Sequence, residues 1–205
     1  MSTQKQDPHR YLQVGREAVL WKLDGLSEYD ARRPLVPTGT NLLGLVKHLA
    51  SVELGYFGDC FDRPHHETLA RADEEAEANA DMWATPEASR EQMVALYRRA
   101  WAHSDVTIDQ LDLGSVGRVP WWPSDRNEVS LHRILVHVAT KTHRHASHAD
   151  IVRELIDGSA GPCPGNEDLP DRDPRLVGQP SVPDRRGRPQ LRAELYRTPG
   201  VTAGC

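Results

Sequence analysis

The stretch Ser130–Gly158, SLHRILVHVATKTHRHASHADIVRELIDG, decides how the rest of this chain is read. Leu131, Leu135, Val138, Val152 and Ile156 fall on one face at a period of 3.6 residues, the signature of an amphipathic helix. Ser130 can accept free amide hydrogens of the first turn, and Gly158 suits the left-handed residue that closes a helix. The spacing predicts one long helix from Ser130 to Asp157. A helix with one apolar stripe has to bury it against other elements.

Working outward, three more helices are predicted. One runs from about His9 to Ser27, with Tyr11, Val14, Ala18, Trp21 and Gly25 on its stripe and Leu12, Val19, Leu23 and Leu26 broadening it. It breaks by Arg33-Pro34, because the residue before a proline avoids helical backbone. The next runs from about Thr40 to Cys60, capped by Thr40 or Asn41, with Leu42, Leu45, Leu49, Val52 and Tyr56 on one face. The third starts at Thr85-Pro86-Glu87, with threonine as cap and proline in the first turn, and buries Val94, Tyr97, Trp101, Ile108 and Leu111. Arg63 to Ala84, acidic and poor in apolar residues, reads as a solvated excursion. Gly114 to Asn127 reads as a loop holding Val119-Pro120-Trp121-Trp122-Pro123. Its two tryptophans cover the end of the core or roof a pocket.

No strand pattern stands out, so the expected class is all-α, an antiparallel four-helix bundle over residues 1–158. Residues 159–205 are rich in proline and glycine, which opposes helices and sheet ladders. They are expected to form an irregular, partly disordered tail, with Arg185, Arg186 and Arg188 solvated.

The 205 residues suit one domain with a sizeable core. With 25 Lys+Arg against 30 Asp+Glu, the net charge is -5, which does not favour nucleic-acid binding. No apolar run of about 18 residues exists to span a membrane. Cys60, Cys163 and Cys205 give neither a disulfide framework nor a zinc spacing, and the N-terminus lacks a signal-peptide pattern. A reducing, cytoplasmic setting is expected.

Histidine is the conspicuous residue: there are 10, and five lie between His132 and His148. On a helical wheel His145 falls in the middle of the core stripe. His148 lies one turn on, towards one edge, and His137 lies on that edge two turns earlier. His132 and His143 point away; with His9, His65, His66 and His103 they read as surface or loop residues. On the second helix His48 stands at the edge of the apolar stripe. His145 and His148, three residues apart, can converge, and His48 can meet them across the bundle. Neutral imidazole is a common ligand of divalent ions, but an inward histidine can equally be a hydrogen-bonded core residue.

Asn41-Leu42-Leu43-Gly44-Leu45-Val46-Lys47-His48-Leu49-Ala50 resembles the second-helix motif of the DinB-like superfamily, in its actinobacterial branch of unassigned function. Arg144-His145-Ala146-Ser147-His148-Ala149-Asp150, with Arg153-Glu154-Leu155-Ile156-Asp157-Gly158, resembles the last core helix of that branch. Asp81-Met82-Trp83-Ala84-Thr85-Pro86 and Trp121-Trp122-Pro123 are similar to its signatures. The resemblance covers about residues 9–175. It implies a four-helix bundle, often a homodimer, that carries zinc, nickel or iron. Relatives transfer thiols such as mycothiol or bacillithiol to small-molecule substrates, and some are hydrolases. His48 and His145 match two of the three metal ligands, and the middle position falls on Lys141, where the branch has glutamate. A lysine ammonium has no lone pair for a metal. His148 can replace the missing ligand, two histidines can hold the ion alone, or Lys141 can serve as a charge partner or base in a site without metal. Asp150 is the candidate to orient a histidine from behind, and Trp121 and Trp122 to cover the cofactor-binding pocket.

Overall fold

The computed structural model describes residues 3–67, 80–84 and 88–166, together with the backbone of 182–183 and 189–190. The chain divides into two units, Met1–Leu169 and Pro170–Cys205.

The first unit is mainly helical. Its helices are α1 (Thr3–Trp21), α2 (Glu28–Arg32), α3 (Leu42–Glu53), α4 (Arg90–Gln110) and α5 (Leu131–Asp157). α1 packs along α5, and α3 along α4 and α5. Leu42, Leu45, Leu49, Tyr97 and Val152 are buried in one part of the core, and Leu12, Phe57, Ile108, Leu131 and Val138 in the other. Among the described residues no helix is long and apolar enough to cross a membrane.

α5 follows its local signals closely. The Ser130 side chain accepts from the Arg133 amide, and Gly158 closes the helix at φ 79°. In α3 the cap is Asn41, whose side chain accepts from the Gly44 amide at 2.8 Å. The helix then widens into a π-helical turn over Leu54–Gly58 and tightens into a 3₁₀ turn over Asp59–Phe61, where Cys60 is buried.

The structure corrects several expectations. α1 starts earlier and ends at Trp21. The chain turns through Gly25 at φ 72°, and Ser27 caps the separate α2. Tyr11 and Val14 are exposed, at 65% and 40%, while Leu12, Arg16 and Val19 are buried. The buried face is turned because Arg16 finds an acidic partner inside the core. α4 starts at Ser89, not Thr85, because Ser89 and Gln92 form a capping box that satisfies two end donors. Residues 85–87, like Asp73–Glu77, lie outside the described residues.

The loop after α4 contains an antiparallel pair, β1 (Val116–Arg118) and β2 (Glu128–Ser130), which closes the Trp121-Trp122 segment into a hairpin. Gly117 lets β1 approach, since a Cβ there would meet the Cys60 carbonyl at 2.3 Å. His9, His65, His103 and His143, read as surface or loop residues, are half-buried. His9 meets Asp105 at 2.8 Å, and His143 meets the Tyr11 carbonyl at 2.9 Å.

Residues 159–166 belong to the first unit, where Gly161 takes hydrogen bonds from Trp21 and Lys22. In the second unit β3 (Val182–Pro183) pairs with β4 (Pro189–Gln190), a two-residue ladder where none was expected; its shortness keeps both prolines at its edge. Arg185, Arg186, Arg188 and Cys205 lie outside the described residues.

Candidate functional site

The candidate site lies where α3 faces α5. His48 extends from α3 and His145 from α5, and their rings meet edge to face with centroids 4.7 Å apart. His148, three residues further along α5, brings its ring centroid to 5.3 Å from that of His145. The Nδ1 atoms of His145 and His148 are 3.3 Å apart, so one ring donates to the other. Of the three histidines singled out by the sequence, His48 and His148 each stand beside His145.

His145 is buried, at 7% exposure. Burial pushes its pKa down to about 3, and the neighbouring His48, His148, Lys141 and Arg144 add to the depression. Its ring is neutral at physiological pH and keeps a lone pair.

His48 has a partner that the sequence reading did not assign. Its Nδ1 meets the carboxylate of Asp81 at 2.7 Å and donates its proton there, because a carboxylate can only accept. Asp81 sits in a short 3₁₀ turn, Ala80–Met82, laid across α3. Lys47 Nζ donates to the Ala80 carbonyl at 2.8 Å and the Trp83 carbonyl at 3.4 Å, and the Asn41 amide donates to the Met82 carbonyl at 3.4 Å. Gly44 makes room: a Cβ there would fall 2.0 Å from the Met82 oxygen. Only the quoted run Asp81-Met82-Trp83 hinted at this element, and nothing local says that a carboxylate 33 residues on will meet His48.

Asp150, the expected orienting carboxylate, has other partners. It lies 2.8 Å from Lys22 Nζ and accepts from the Gly161 amide at 2.7 Å. It helps hold residues 159–166 on α1, and Asp81 is the carboxylate that meets a site histidine.

Lys141 lies one turn before His145 and one turn after His137. Its ammonium is 5.9 Å from the ring centroid of Tyr56. Its charge contributes to the lowered pKa of both histidines, after burial in each case. Tyr56 continues the site into an aromatic wall. Its ring lies 5.2 Å from Trp121, 6.1 Å from Trp122 and 4.9 Å from His137. Trp121 is 39% exposed and also approaches Gly55, where a Cβ would be 3.2 Å from its ring. Trp122 is half-buried against the core and lies 5.0 Å from the Arg133 guanidinium. One tryptophan edges the site, and the other also covers the core end.

The donor chemistry suits a divalent ion such as zinc, nickel or iron, because the three imidazoles supply nitrogen ligands. Two nitrogens sharing a tetrahedral ion at about 2.0–2.1 Å stand roughly 3.3 Å apart, the separation found between His145 and His148. A carboxylate behind a histidine, as Asp81 is behind His48, is the usual backing of such a ligand. Among the described residues, however, no three His, Cys, Asp or Glu side chains stand together in a geometry that could already hold an ion.

The model of one family, described as mycothiol-S-transferase, matches residues 7–158. No curated protein and no solved structure matches the chain.

Proposed function

Because the chain belongs to the mycothiol-S-transferase family, and with it to the DinB-like superfamily, we propose that it transfers a mycothiol-like thiol to a small electrophile at the α3–α5 site. The observation that carries this reading is the meeting of His48 and His145, 4.7 Å between centroids, beside an aromatic wall. The scaffold it assumes is an antiparallel four-helix bundle of α1, α3, α4 and α5.

His48, His145 and His148 would hold the divalent ion. Bound there, such an ion lowers the pKa of a thiol and supplies a thiolate at neutral pH. The protein's own residues do the rest. Asp81 holds the His48 ring through Nδ1, leaving Nε2 as the nitrogen for a ligand or a proton. The low pKa of His145 keeps its lone pair available. Tyr56, Trp121 and Trp122 offer aromatic faces to an apolar electrophile and keep water from one side of it. In the transfer the sulfur–hydrogen bond breaks and its proton passes to water, a carbon–sulfur bond forms, and the leaving group departs with its electron pair. A homodimer in the cytoplasm belongs to the same reading; Tyr11, Ile151 and Leu155 offer exposed apolar surface for it.

A second reading is favoured by Lys141. Its cation lies on the same face as His137 and His145 and depresses both. In that reading the site works without metal, and Lys141 neutralises an anionic ligand.

The test measures metal content by elemental analysis and conjugation of a chloro-aromatic electrophile with mycothiol. Stoichiometric zinc, nickel or iron, lost together with activity in His145→Ala, is the expected result. Mycothiol conjugation by a protein that takes up no metal moves the case to Lys141, and no conjugation under either condition overturns thiol transfer.

A further inference from the structure

The segment Ala80–Ala84 is joined to α3 at four consecutive contacts, all directed to one end. Asn41 donates its amide to Met82 O; Gly44 leaves the gap that the Met82–Trp83 backbone fills; Lys47 reaches the carbonyls on both sides, at Ala80 and Trp83; and His48 meets Asp81. The first three are spaced three residues apart, from the cap of α3 onward, and lead to the fourth. A lysine ammonium directed at two main-chain carbonyls is a costly way to hold a surface loop. Gly44 forbids any side chain, since even a methyl would overlap backbone, which cannot rotate away.

We propose that Asp81 is a positioning residue for His48, and that Gly44 and Lys47 are the α3 devices that place it. Asp81 accepts the Nδ1 proton, fixes one tautomer and one ring orientation, and turns Nε2 into the working nitrogen. The inference deepens the proposed function, because it takes His48 as a working residue of that site. It holds whether Nε2 meets an ion or a proton, so it does not depend on which of the two readings is right.

The experiment uses the full chain without added metal and records the ring-nitrogen proton of His48 by NMR, assigned by its loss in His48→Gln. In the wild type a hydrogen-bonded Nδ1–H signal is expected. It should disappear in Asp81→Ala, and in Gly44→Ala and Lys47→Met it should weaken or disappear, each with unchanged far-UV circular dichroism. Lys47→Met keeps the proposal testable should Gly44→Ala not fold. Mycothiol conjugation by Asp81→Ala is expected to fall 10–100-fold, the usual loss on removing such a partner, and to be partly rescued by Asp81→Glu. A persisting Nδ1–H signal in Asp81→Ala, or a signal carried on Nε2 in the wild type, overturns the proposal. Absence of conjugation in the wild type would instead defeat the proposed function, and the NMR result would still decide the role of Asp81.

Discussion

The guanidinium of Arg16 and the carboxylate of Glu53 face each other with neither side chain exposed to solvent, Nε to Oε1 at 2.9 Å. Asp105 meets the same guanidinium at 2.8 Å, and the ring of Trp101 lies 5.5 Å from it. This cluster ties α1, α3 and α4 together inside the core. Burial pushes the Glu53 pKa up while Arg16 opposes. Removing the arginine strands the Glu53 carboxylate away from water, whereas Arg16 without Glu53 keeps Asp105. Arg16→Met is expected to destabilise the fold by about 3–5 kcal/mol. Arg16→Met with Glu53→Leu together should cost much less than the single change, since apolar replacements of both partners are often neutral. Urea unfolding of the single and double variants checks this.

His145 links stability to pH. Its pKa is about 3 in the folded chain against an ordinary 6.5. Between these values the unfolded chain binds the proton and the folded chain does not, so stability rises with pH. The contribution is fully present above about pH 6.5 and is lost as the pH falls towards 3. Unfolding of the metal-free protein at a series of pH values should show this slope, and His145→Gln should flatten it.

Lys141 sets the charge of the site. Lys141→Glu replaces a cation with a ligand-type carboxylate. It should tighten zinc binding by at least about tenfold, because 1.4 kcal/mol is enough for that factor and reversing the sign of one close charge is worth more. Titration with zinc against a chelating indicator measures it. An unchanged affinity would mean that the ion does not bind near Lys141.

Arg153 locks the end of α1 to α5. Its Nη1 donates to the Lys22 and Asp24 carbonyls, both at 2.8 Å, while the other nitrogens pair with Asp157. Arg153→Ala leaves these carbonyls short of a donor and should cost about 1–3 kcal/mol. Thermal unfolding checks the loss, and Arg153→Lys should recover only part of it, because an ammonium cannot reproduce the planar fork.

How much of this was legible depended on how local each signal is. α5 could be read end to end, because Ser130 and Gly158 act within one turn of themselves. The three inward histidines could be read because a helical wheel needs no partner. The face of α1 could not, because Arg16 looks like a surface residue until Glu53, 37 residues on, is placed against it. Asp81 was missed for the same reason, and Asp150 was preferred for being near in sequence to His145. The start of α4 moved from Thr85 to Ser89 because two plausible caps lay four residues apart, and only Ser89 is followed by a glutamine able to close the box.

The way Asp81 is held has a consequence for how this fold can vary. Lys47 holds the main chain on both sides of Asp81, and Gly44 leaves the room that this backbone fills. The carboxylate takes its coordinates from α3, not from the chain that delivers it. Variation that leaves Gly44 and Lys47 in place therefore leaves Asp81, and the His48 ring that it meets, undisturbed.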